Sequence, residues 1–372
     1  MNPVGPHGTW GQPLHGFLLV NKPVGPTSHD VVACVRRRCP GTRVGHLGTL
    51  DPAAHGLLPL ALGLATRLAE YAHWHSKQYR AEWWLGRETD SGDLQGLVVA
   101  QAAAGSFVTA QAVRAALVEF QGEIEQVPPA ASAVRVAGRH SYEWVRAGLP
   151  RPLPPRSVRI WRLEWLGWRP QPGAAWQRPP DAPAAPIHAG ERLLVELDCS
   201  AGTYVRALAK DVGRRLGLGA TVADLCRTRV GPFVLEQAHP LEELMYATPQ
   251  QLAAWLQPLD DILPLHWRRV VLHPAALARV VQGGVFSSDE IVREPEGERV
   301  QQGEGNAGAG RGETPSLPAV QLEAEDGWLA VLDPEGRLRA LARQVKPGVW
   351  HPEKVLTWED EASPNGCGHR GS

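Results

Sequence analysis

The sequence predicts an α+β fold in a chain of 372 residues. Two observations indicate this class. Strand-like and helix-like segments are mixed without the strict alternation that a doubly wound α/β sheet requires. In addition, 43% of the residues are hydrophobic, a share typical of globular proteins, and the length suffices for two domains with sizeable cores. We therefore expect a sheet with flanking helices, followed by a smaller unit.

The first half of the chain predicts strands and helices of ordinary length. The run at residues 16–23 is typical of a strand, and Ser28 can cap a helix over residues 29–38 that ends in three arginines. Apolar residues 57–65 predict a buried strand or a short core segment. The further elements predicted here are a helix over 65–73, a strand over 77–86 and an amphipathic helix over 109–120.

The second half continues this mixture and ends in a hairpin. Thr203 can cap a helix that runs to Leu216, and Gly217 can end it. Apolar runs at 328–332 and 338–342 flank an Asp-Pro-Glu-Gly turn, which predicts a β-hairpin. The further elements predicted in this half are a short helix over 140–147 and strands over 157–168 and 192–199.

Composition also predicts the domain boundaries. Residues 170–190 are rich in proline and alanine, and residues 294–318 are rich in glycine, glutamate and glutamine without an apolar period. The expected division is a flexible extension (1–14), a first domain (15–255) with a loosely held surface insertion (170–190), a small β-rich domain (256–358) with a disordered insertion (294–318), and a tail (359–372).

Charge is distributed unevenly between these parts. Residues 1–240 contain 26 Lys and Arg against 19 Asp and Glu, whereas residues 241–372 contain 12 against 20. A basic larger part is compatible with a polyanionic partner. The five cysteines are too few and too scattered for a disulfide framework, and they form no CxxC pair, which argues against a structural zinc site.

Several function classes lack their usual signals. No stretch approaches the roughly 20 apolar residues of a membrane span, and no secretory signal is visible, so we expect a cytoplasmic protein without a membrane partner. The chain has no P-loop, no GxGxxG that opens a helix after a strand, no HExxH and no GxSxG. Nucleotide hydrolysis, dinucleotide redox chemistry and serine hydrolysis are therefore unsupported.

The most informative stretch is GHLGTLDPAAHG at residues 45–56. Its glycines allow a ligand to approach the backbone closely, and Pro52 restricts the preceding residues to extended or turn geometry, which aims the Asp51 side chain. A tight turn with a structural aspartate is the alternative. A metal site of His46, Asp51 and His55 is a further alternative, but the spacing matches no metal signature and we expect no metal.

The segment GTYVR at residues 202–206 lies where a strand turns into a helix. Helix N-termini attract anions, and Arg206 adds a fixed positive charge there. Taken alone, this segment favours a plain capped helix with Tyr204 in the core and Arg206 on the surface.

Six motifs in order resemble the bacterial tRNA pseudouridine-55 synthase family of TruB type. They are FLLVNKP at 17–23 followed by Thr27-Ser28, GHLGTLDP at 45–52, KQYR at 77–80, TDSGD at 89–93, QVPP at 126–129 with Ser132-Ala133, and CSAGTYVR at 199–206. The resemblance covers residues 17–234. It implies the pseudouridine synthase fold, with a mixed, largely antiparallel central sheet, and residues beyond 255 faintly resemble the small RNA-binding PUA domain.

This resemblance implies isomerisation of uridine 55 in the T-loop of transfer RNA. The C1′–N1 bond breaks, the uracil turns and C5 bonds to C1′, without metal or cofactor. Because the reacting atoms are hidden in the folded T-loop, the base must flip out. We expect a monomer that binds the T-arm of tRNA without a required protein partner. The alternative is a tRNA-binding chaperone of the same fold that acts without chemistry.

The resemblance also implies a role for each matching residue. Asp51 would attack covalently or stabilise the developing charge, and Arg206 would pair with it. Tyr79 would stack on the base and take the C5 proton. His46 would fill the space left in the RNA loop, and Tyr204 would line the uracil pocket. The other candidates for substrate binding are Asp93, Leu225, Lys22 and Arg43.

Overall fold

The computed structural model of the chain describes residues 13–132, 134–149, 151–264, 266–294 and 327–358. The strands up to residue 257 are β1 (Gly16–Lys22), β2 (Val44–His46), β3 (His55–Leu62), β4 (Lys77–Leu85), β5 (Arg87–Thr89), β6 (Val98–Gln101), β7 (Phe107–Thr109), β8 (Gly122–Gln126), β9 (Arg135–Val136), β10 (Arg139–His140), β11 (Arg156–Arg169), β12 (Pro186–His188), β13 (Arg192–Cys199), β14 (Ala220–Val230), β15 (Phe233–Val234), β16 (His239–Pro240) and β17 (Leu256–Gln257). The later strands are β18 (Arg268–Leu272), β19 (Phe286–Ser287), β20 (Ile291–Arg293), β21 (Trp328–Leu332), β22 (Leu338–Lys346) and β23 (Val349–Val355). The helices are α1 (Ser28–Arg38), α2 (Ala110–Glu119), α3 (Ser141–Arg146), α4 (Val205–Arg215), α5 (Leu241–Tyr246), α6 (Pro249–Ala254) and α7 (Pro274–Val280).

A large mixed sheet organises the chain up to residue 257, with its main strands in the order β16-β1-β3-β14-β4-β13-β11-β8. Most neighbouring strands are antiparallel, whereas β14 runs parallel to β3 and β16 runs parallel to β1. The α+β class and the largely antiparallel sheet are thereby confirmed. Strand β14 lies between β3 and β4, although it follows both of them in the chain.

The register of the central strands determines which side chains share a face. In β4, Lys77, Tyr79, Ala81 and Trp83 are buried at every second position, so these side chains point to the same side of the sheet. The β4–β14 register places Tyr79 opposite Arg227. The two side chains therefore lie next to each other on one face.

Helix α1 begins at a different cap from the predicted one. Thr27 is the cap: its hydroxyl accepts a hydrogen bond from the Asp30 amide at 3.1 Å, and its amide donates to the Asp30 carboxylate at 2.8 Å. The prediction that Ser28 caps this helix was wrong. The buried Ser28 hydroxyl accepts from the Leu50 amide at 2.9 Å and donates to the Leu50 carbonyl at 3.1 Å. Ser28 thus holds the chain just before Asp51.

Helix α4 departs from prediction in the same way. Tyr204, not Thr203, occupies the cap position, and the Tyr204 side chain forms no capping hydrogen bond. The buried Gln126 side chain, at the end of β8, forms hydrogen bonds with the Tyr204 backbone instead. The helix ends before Gly217, which has a positive φ of 72° as a helix stop requires.

Two other predicted segments differ in detail. The helix predicted over 65–73 is part of a 3-10 helix, Gly63–Trp74. The stretch at 170–190, predicted as a loosely held surface insertion, is exposed along most of its length but is attached at two points: β12 pairs with β7, and Trp168 and Gln177 exchange backbone hydrogen bonds of 2.9 Å. The predicted N-terminal extension up to residue 12, the insertion after residue 294 and the tail lie outside the described residues.

A second, smaller sheet follows, with the strand order β19-β23-β22-β21-β18-β20. This confirms a β-rich C-terminal part, and β21 and β22 form the predicted hairpin. Phe17 and Leu57 of the large sheet share one buried cluster with Trp267 and Leu341 near the second sheet, so the two sheets pack together. The boundary at residue 255 stays a prediction. Among the described residues, no helix has both the length and the apolar character needed to cross a membrane.

Candidate active site

Asp51 lies in the loop between β2 and β3 and lines a cleft of about 390 Å³. Hydrogen bonds fix the backbone on both sides of it: Ser28 holds Leu50, and the Ala54 amide donates to the Asp51 carbonyl at 3.0 Å. Its side chain is 36% exposed. The loop thus presents one carboxylate to the cleft on a fixed backbone.

Arg206, in the first turn of α4, is the ionic partner of that carboxylate. Its Nε lies 2.9 Å from Asp51 Oδ2. Its two terminal nitrogens donate to the backbone carbonyls of Ser91, at 2.6 Å, and Ala131, at 3.1 Å. Only 5% of Arg206 is exposed, so the surface position favoured by its segment alone was wrong. A planar guanidinium spreads its donors over three nitrogen atoms, so it can contact three separate acceptors at once, whereas a lysine offers a single nitrogen.

Asp93 supports Arg206 at a different nitrogen from the one that faces Asp51. Its carboxylate accepts hydrogen bonds from the Ser91 hydroxyl at 2.6 Å and the Gln95 amide at 3.0 Å. Its second oxygen lies 3.7 Å from a terminal nitrogen of Arg206. Asp93 therefore orders the turn that bears the Ser91 carbonyl and places a second negative charge near the guanidinium.

Tyr79 lies on β4 and lines the same cleft as Asp51. Burial raises the pKa of its phenol above the usual value of 10.0. Tyr79 is therefore a neutral phenol in the free protein, and taking up the C5 proton would require it to lose its own proton first. Its ring is suited to stacking on a base, and both roles stay predictions.

The other predicted site residues that line the cleft come from three separate parts of the chain. His46 ends β2, and burial, followed by the nearby His29 and Arg227, lowers the pKa of its imidazole, so the ring is neutral at pH 7. Tyr204 precedes α4 and Leu225 lies on β14; both line the cleft. The predicted site residues that the structure brings together here are Asp51, Tyr79, Arg206, His46, Tyr204 and Leu225, with Asp93 next to them.

Besides Asp93, which lies next to the cleft, two more predicted substrate-binding residues lie outside it. Lys22 is fully buried, and its ammonium donates to the carbonyls of Pro23 at 2.8 Å and Pro26 at 2.9 Å. The turn it stabilises contains Gly25, whose amide donates to the Pro52 carbonyl at 2.9 Å. Lys22 is thus placed to position the Asp51 loop and has no free surface for RNA. Arg43 is exposed, as a contact to RNA phosphate would require.

Sequence reasoning missed Arg227, which fixes the other side of the Asp51 loop. This guanidinium is fully buried, and it donates to the carbonyls of Leu57 at 2.8 Å and Gly48 at 3.0 Å. An arginine at an inward position of a strand, two residues after Leu225, was the available signal. Lys77, present in a quoted motif but given no role there, also lines the cleft.

His55 does not join Asp51 in a metal site. Its Nε2 lies 3.2 Å from the Asp224 carboxylate, and the hydrogen bond to Asp224, followed by that to Cys226, raises the pKa of His55 to about 10. Within the part of the chain that the structure describes, no group of three or more His, Cys, Asp or Glu side chains is arranged to hold a metal ion.

Comparison with known proteins identifies the family. Residues 36–205 match the model "TruB family pseudouridylate synthase (N terminal domain)", and residues 206–264 match "tRNA pseudouridylate synthase B C-terminal domain". The tRNA pseudouridine synthase B of Symbiobacterium thermophilum is 46% identical over 270 residues, which cover 73% of this chain and 82% of the relative. The tRNA pseudouridine synthase B of Moorella thermoacetica is 41% identical over 296 residues, which cover 78% of this chain and 91% of the relative.

A solved structure supports the same fold. A chain of a Cbf5-Nop10-Gar1 complex is similar, with a TM-score of 0.60 and 24% sequence identity, over 96% of this chain and 93% of that one. At this identity the likeness concerns the fold alone. The family models match most of the chain, and the relatives are matched over most of their own length. The chain whose cleft contains Asp51 and Arg206 therefore belongs to the TruB family of pseudouridylate synthases.

Proposed function

We propose that this chain is a tRNA pseudouridine synthase that isomerises uridine 55 in the T-loop. One observation carries the proposal: the Asp51 carboxylate lies 2.9 Å from the buried Arg206 guanidinium, in a cleft that Tyr79 also lines. The curated relatives are named tRNA pseudouridine synthase B, which supports tRNA as the substrate. The proposed substrate implies a cytoplasmic enzyme, and we propose that it acts as a monomer.

In the proposed reaction the C1′–N1 bond breaks and its electron pair leaves with the uracil. The Asp51 carboxylate bonds to C1′ or stabilises the positive charge there, while Arg206 keeps it in place. The uracil then turns and C5 bonds to C1′, which in the covalent route breaks the bond between C1′ and Asp51 and releases the carboxylate. C5 then loses its proton and N1 gains one. The atoms balance as an isomerisation, with no oxidation or reduction.

Entry of the uridine requires base flipping, which costs a few kcal/mol of stacking. Stacking on an aromatic side chain recovers about 1–3 kcal/mol per base, and Tyr79 and Tyr204 both line the cleft. Exposed arginines outside it, such as Arg37, Arg43 and Arg67, supply charge for tRNA phosphates. Chemistry and much of the binding energy therefore reside in different residues.

The test compares Asp51→Asn with Asp181→Asn, a charge-matched change at an exposed residue outside the cleft. Each protein is incubated with unmodified tRNA transcript, and pseudouridine is mapped chemically. We expect Asp51→Asn to lose turnover while the tRNA dissociation constant changes by less than about threefold, since phosphate contacts lie elsewhere. Asp181→Asn should match the wild type.

A folded wild-type protein that forms no pseudouridine in the T-loop would contradict the proposal. The chaperone alternative predicts instead that an Asp51→Asn variant retains every effect of the wild type in cells. Both measurements use the full chain.

A further inference from the structure

Lys77 is a buried cation in the cleft to which the steps above give no role. It lies on β4 two residues before Tyr79, and its side chain is only 7% exposed. Together with Asp51 and Arg206 it lines the cleft. To the residues that the structure describes, the Lys77 ammonium makes neither a hydrogen bond nor an ion pair. Most of the Lys77 side chain is buried, but its ammonium keeps contact with the open space of the cleft, where a ligand can offer it an acceptor.

The other two cations that line the cleft already have acceptors. Arg206 is bound to the Asp51 carboxylate and two backbone carbonyls, and Arg227 is bound to the carbonyls of Leu57 and Gly48. Among the described residues that line the cleft, Lys77 is therefore the positive charge that remains available to a ligand.

Gly48 of the Asp51 loop lies next to the Lys77 and Arg227 side chains. Gly48 has a φ of 110°, and a Cβ placed on it would lie 3.5 Å from Cε of Lys77 and 3.6 Å from a terminal nitrogen of Arg227. The lysine chain thus passes directly over the Asp51 loop. Burial, followed by the Arg227 guanidinium, lowers the pKa of Lys77 to about 8, so the side chain remains mostly protonated at neutral pH.

We propose that Lys77 is a further catalytic residue, whose ammonium binds a carbonyl oxygen of the flipped uracil and stabilises the negative charge on the leaving base. This inference rests on the proposed function. When the C1′–N1 bond breaks, its electron pair passes to N1 and delocalises onto the conjugated carbonyl oxygens. Lys77 donates a hydrogen bond to one of them, keeps its proton and forms no covalent bond. Fixed charges that act where charge develops are a major source of catalysis.

The position of Lys77 favours the base over a phosphate as its ligand. The residue lies on the same strand and face as Tyr79, the ring proposed to stack on the uracil, and 93% of it is shielded from solvent. Phosphates of a bound RNA remain largely hydrated, and exposed arginines can bind them. The test must therefore distinguish a contact between Lys77 and the uracil from a contact between Lys77 and a phosphate.

The test uses Lys77→Met, which removes the charge at similar volume, with Lys210→Met as the matched control. Lys210 lies on α4, outside the cleft, near Glu88. The single-turnover rate of C1′–N1 cleavage is measured, as loss of the starting nucleoside, on tRNA transcripts that contain uridine or 5-fluorouridine. Cleavage is the step that both substrates share, since 5-fluorouridine has no C5 proton to lose at the end of the reaction. The fluorine withdraws electrons and stabilises the uracil anion, so the modified base depends less on an external cation.

We expect Lys77→Met to slow the uridine substrate by about 10²–10³-fold, the range found when one oxyanion donor is removed. The slowing on 5-fluorouridine should be at least tenfold smaller, and the tRNA dissociation constant should change by less than about threefold. The melting temperature should change little, because Met fills a similar volume and the Lys77 ammonium has no hydrogen bond or ion pair to the described residues. Lys77→Arg keeps a charge and should recover part of the rate.

Equal slowing on both substrates would show a structural role and overturn the inference, as would an unchanged rate. A defect confined to tRNA affinity would identify a phosphate contact instead. If Lys77→Met does not fold, the slowing on uridine and on 5-fluorouridine is compared in Lys77→Gln, with Lys77→Arg as the variant that keeps the charge. Failure of the proposed function is separate, because it would appear in the wild type as absence of pseudouridine.

Discussion

Gln126 holds the backbone of Tyr204 with both ends of its side-chain amide. Its Oε1 accepts from the Tyr204 amide at 2.7 Å, and its Nε2 donates to the Tyr204 carbonyl at 3.1 Å. Gln126 is only 1% exposed. Helix α4 begins at the next residue, so this contact sets the position of Arg206 and, through it, of Asp51. A residue from the edge strand β8 thus helps to align the reacting carboxylate.

Gln126→Met should reduce both stability and turnover. The change keeps the side-chain volume but leaves the Tyr204 amide without its acceptor, which costs about 1–3 kcal/mol in the free energy of unfolding. The Tyr204 carbonyl loses one of two donors and keeps the Leu208 amide at 3.0 Å. A small displacement of Arg206 should lower the single-turnover rate by about 10–100-fold. Chemical denaturation and single-turnover assays measure the two effects. Gln121→Met, at an exposed residue near the start of the same strand, should alter both by little. Wild-type turnover in Gln126→Met would contradict the alignment role.

Gly56→Ala should lower the melting temperature far more than Gly45→Ala, although both glycines lie in the strands that flank the Asp51 loop. Gly56 has a φ of 97°, and a Cβ there would lie 2.9 Å from the Arg227 amide and closer still to its carbonyl oxygen. The left-handed backbone costs about 1–2 kcal/mol and the overlap with β14 about 1–3 kcal/mol more. Gly45 has open space around it. Thermal melting of the two variants provides the comparison, and equal melting temperatures would contradict it.

The His55–Asp224 pair should make stability depend on pH. Since the pKa of His55 is raised from 6.5 to about 10, its contribution is complete below pH 6.5 and declines as the pH rises toward about 10. The pKa of Asp224 is lowered by the same hydrogen bond, so protonation of Asp224 in acid also removes the contribution. Both side chains are partly exposed, and we expect a coupling of at most about 1 kcal/mol. A double-mutant cycle with His55→Gln and Asp224→Asn, at pH 6 and pH 9.5, measures it; a coupling that grows with pH would contradict this assignment.

The sequence was informative where a function depends on short segments. Pro52 and the glycines around Asp51 indicated a shaped loop, and the ordered motifs suggested that Arg206, distant in sequence, is its partner. The structure places the two side chains 2.9 Å apart. Strands with clear apolar runs, such as β1 and β13, were predicted close to their observed bounds, because a strand buried on both faces leaves a short, nearly continuous apolar run in the sequence.

The residues that sequence reasoning missed act through contacts between distant strands. Arg227 reaches the Asp51 loop because β14 pairs with both β3 and β4, and this register is not encoded in any local pattern. The caps of α1 and α4 were misassigned for a related reason. Ser28 and Thr203 are good capping residues by composition, but in α1 the Thr27 side chain takes that role and in α4 the backbone is held by Gln126 instead.

The place of β14 in the sheet has a consequence for synthesis on the ribosome. This strand, Ala220–Val230, inserts between β3 and β4, which leave the ribosome much earlier. Until it has emerged, the Gly48 and Leu57 carbonyls lack their Arg227 donor and one wall of the cleft is missing. A nascent chain therefore acquires its tRNA-modifying centre only when almost the whole large sheet has been translated.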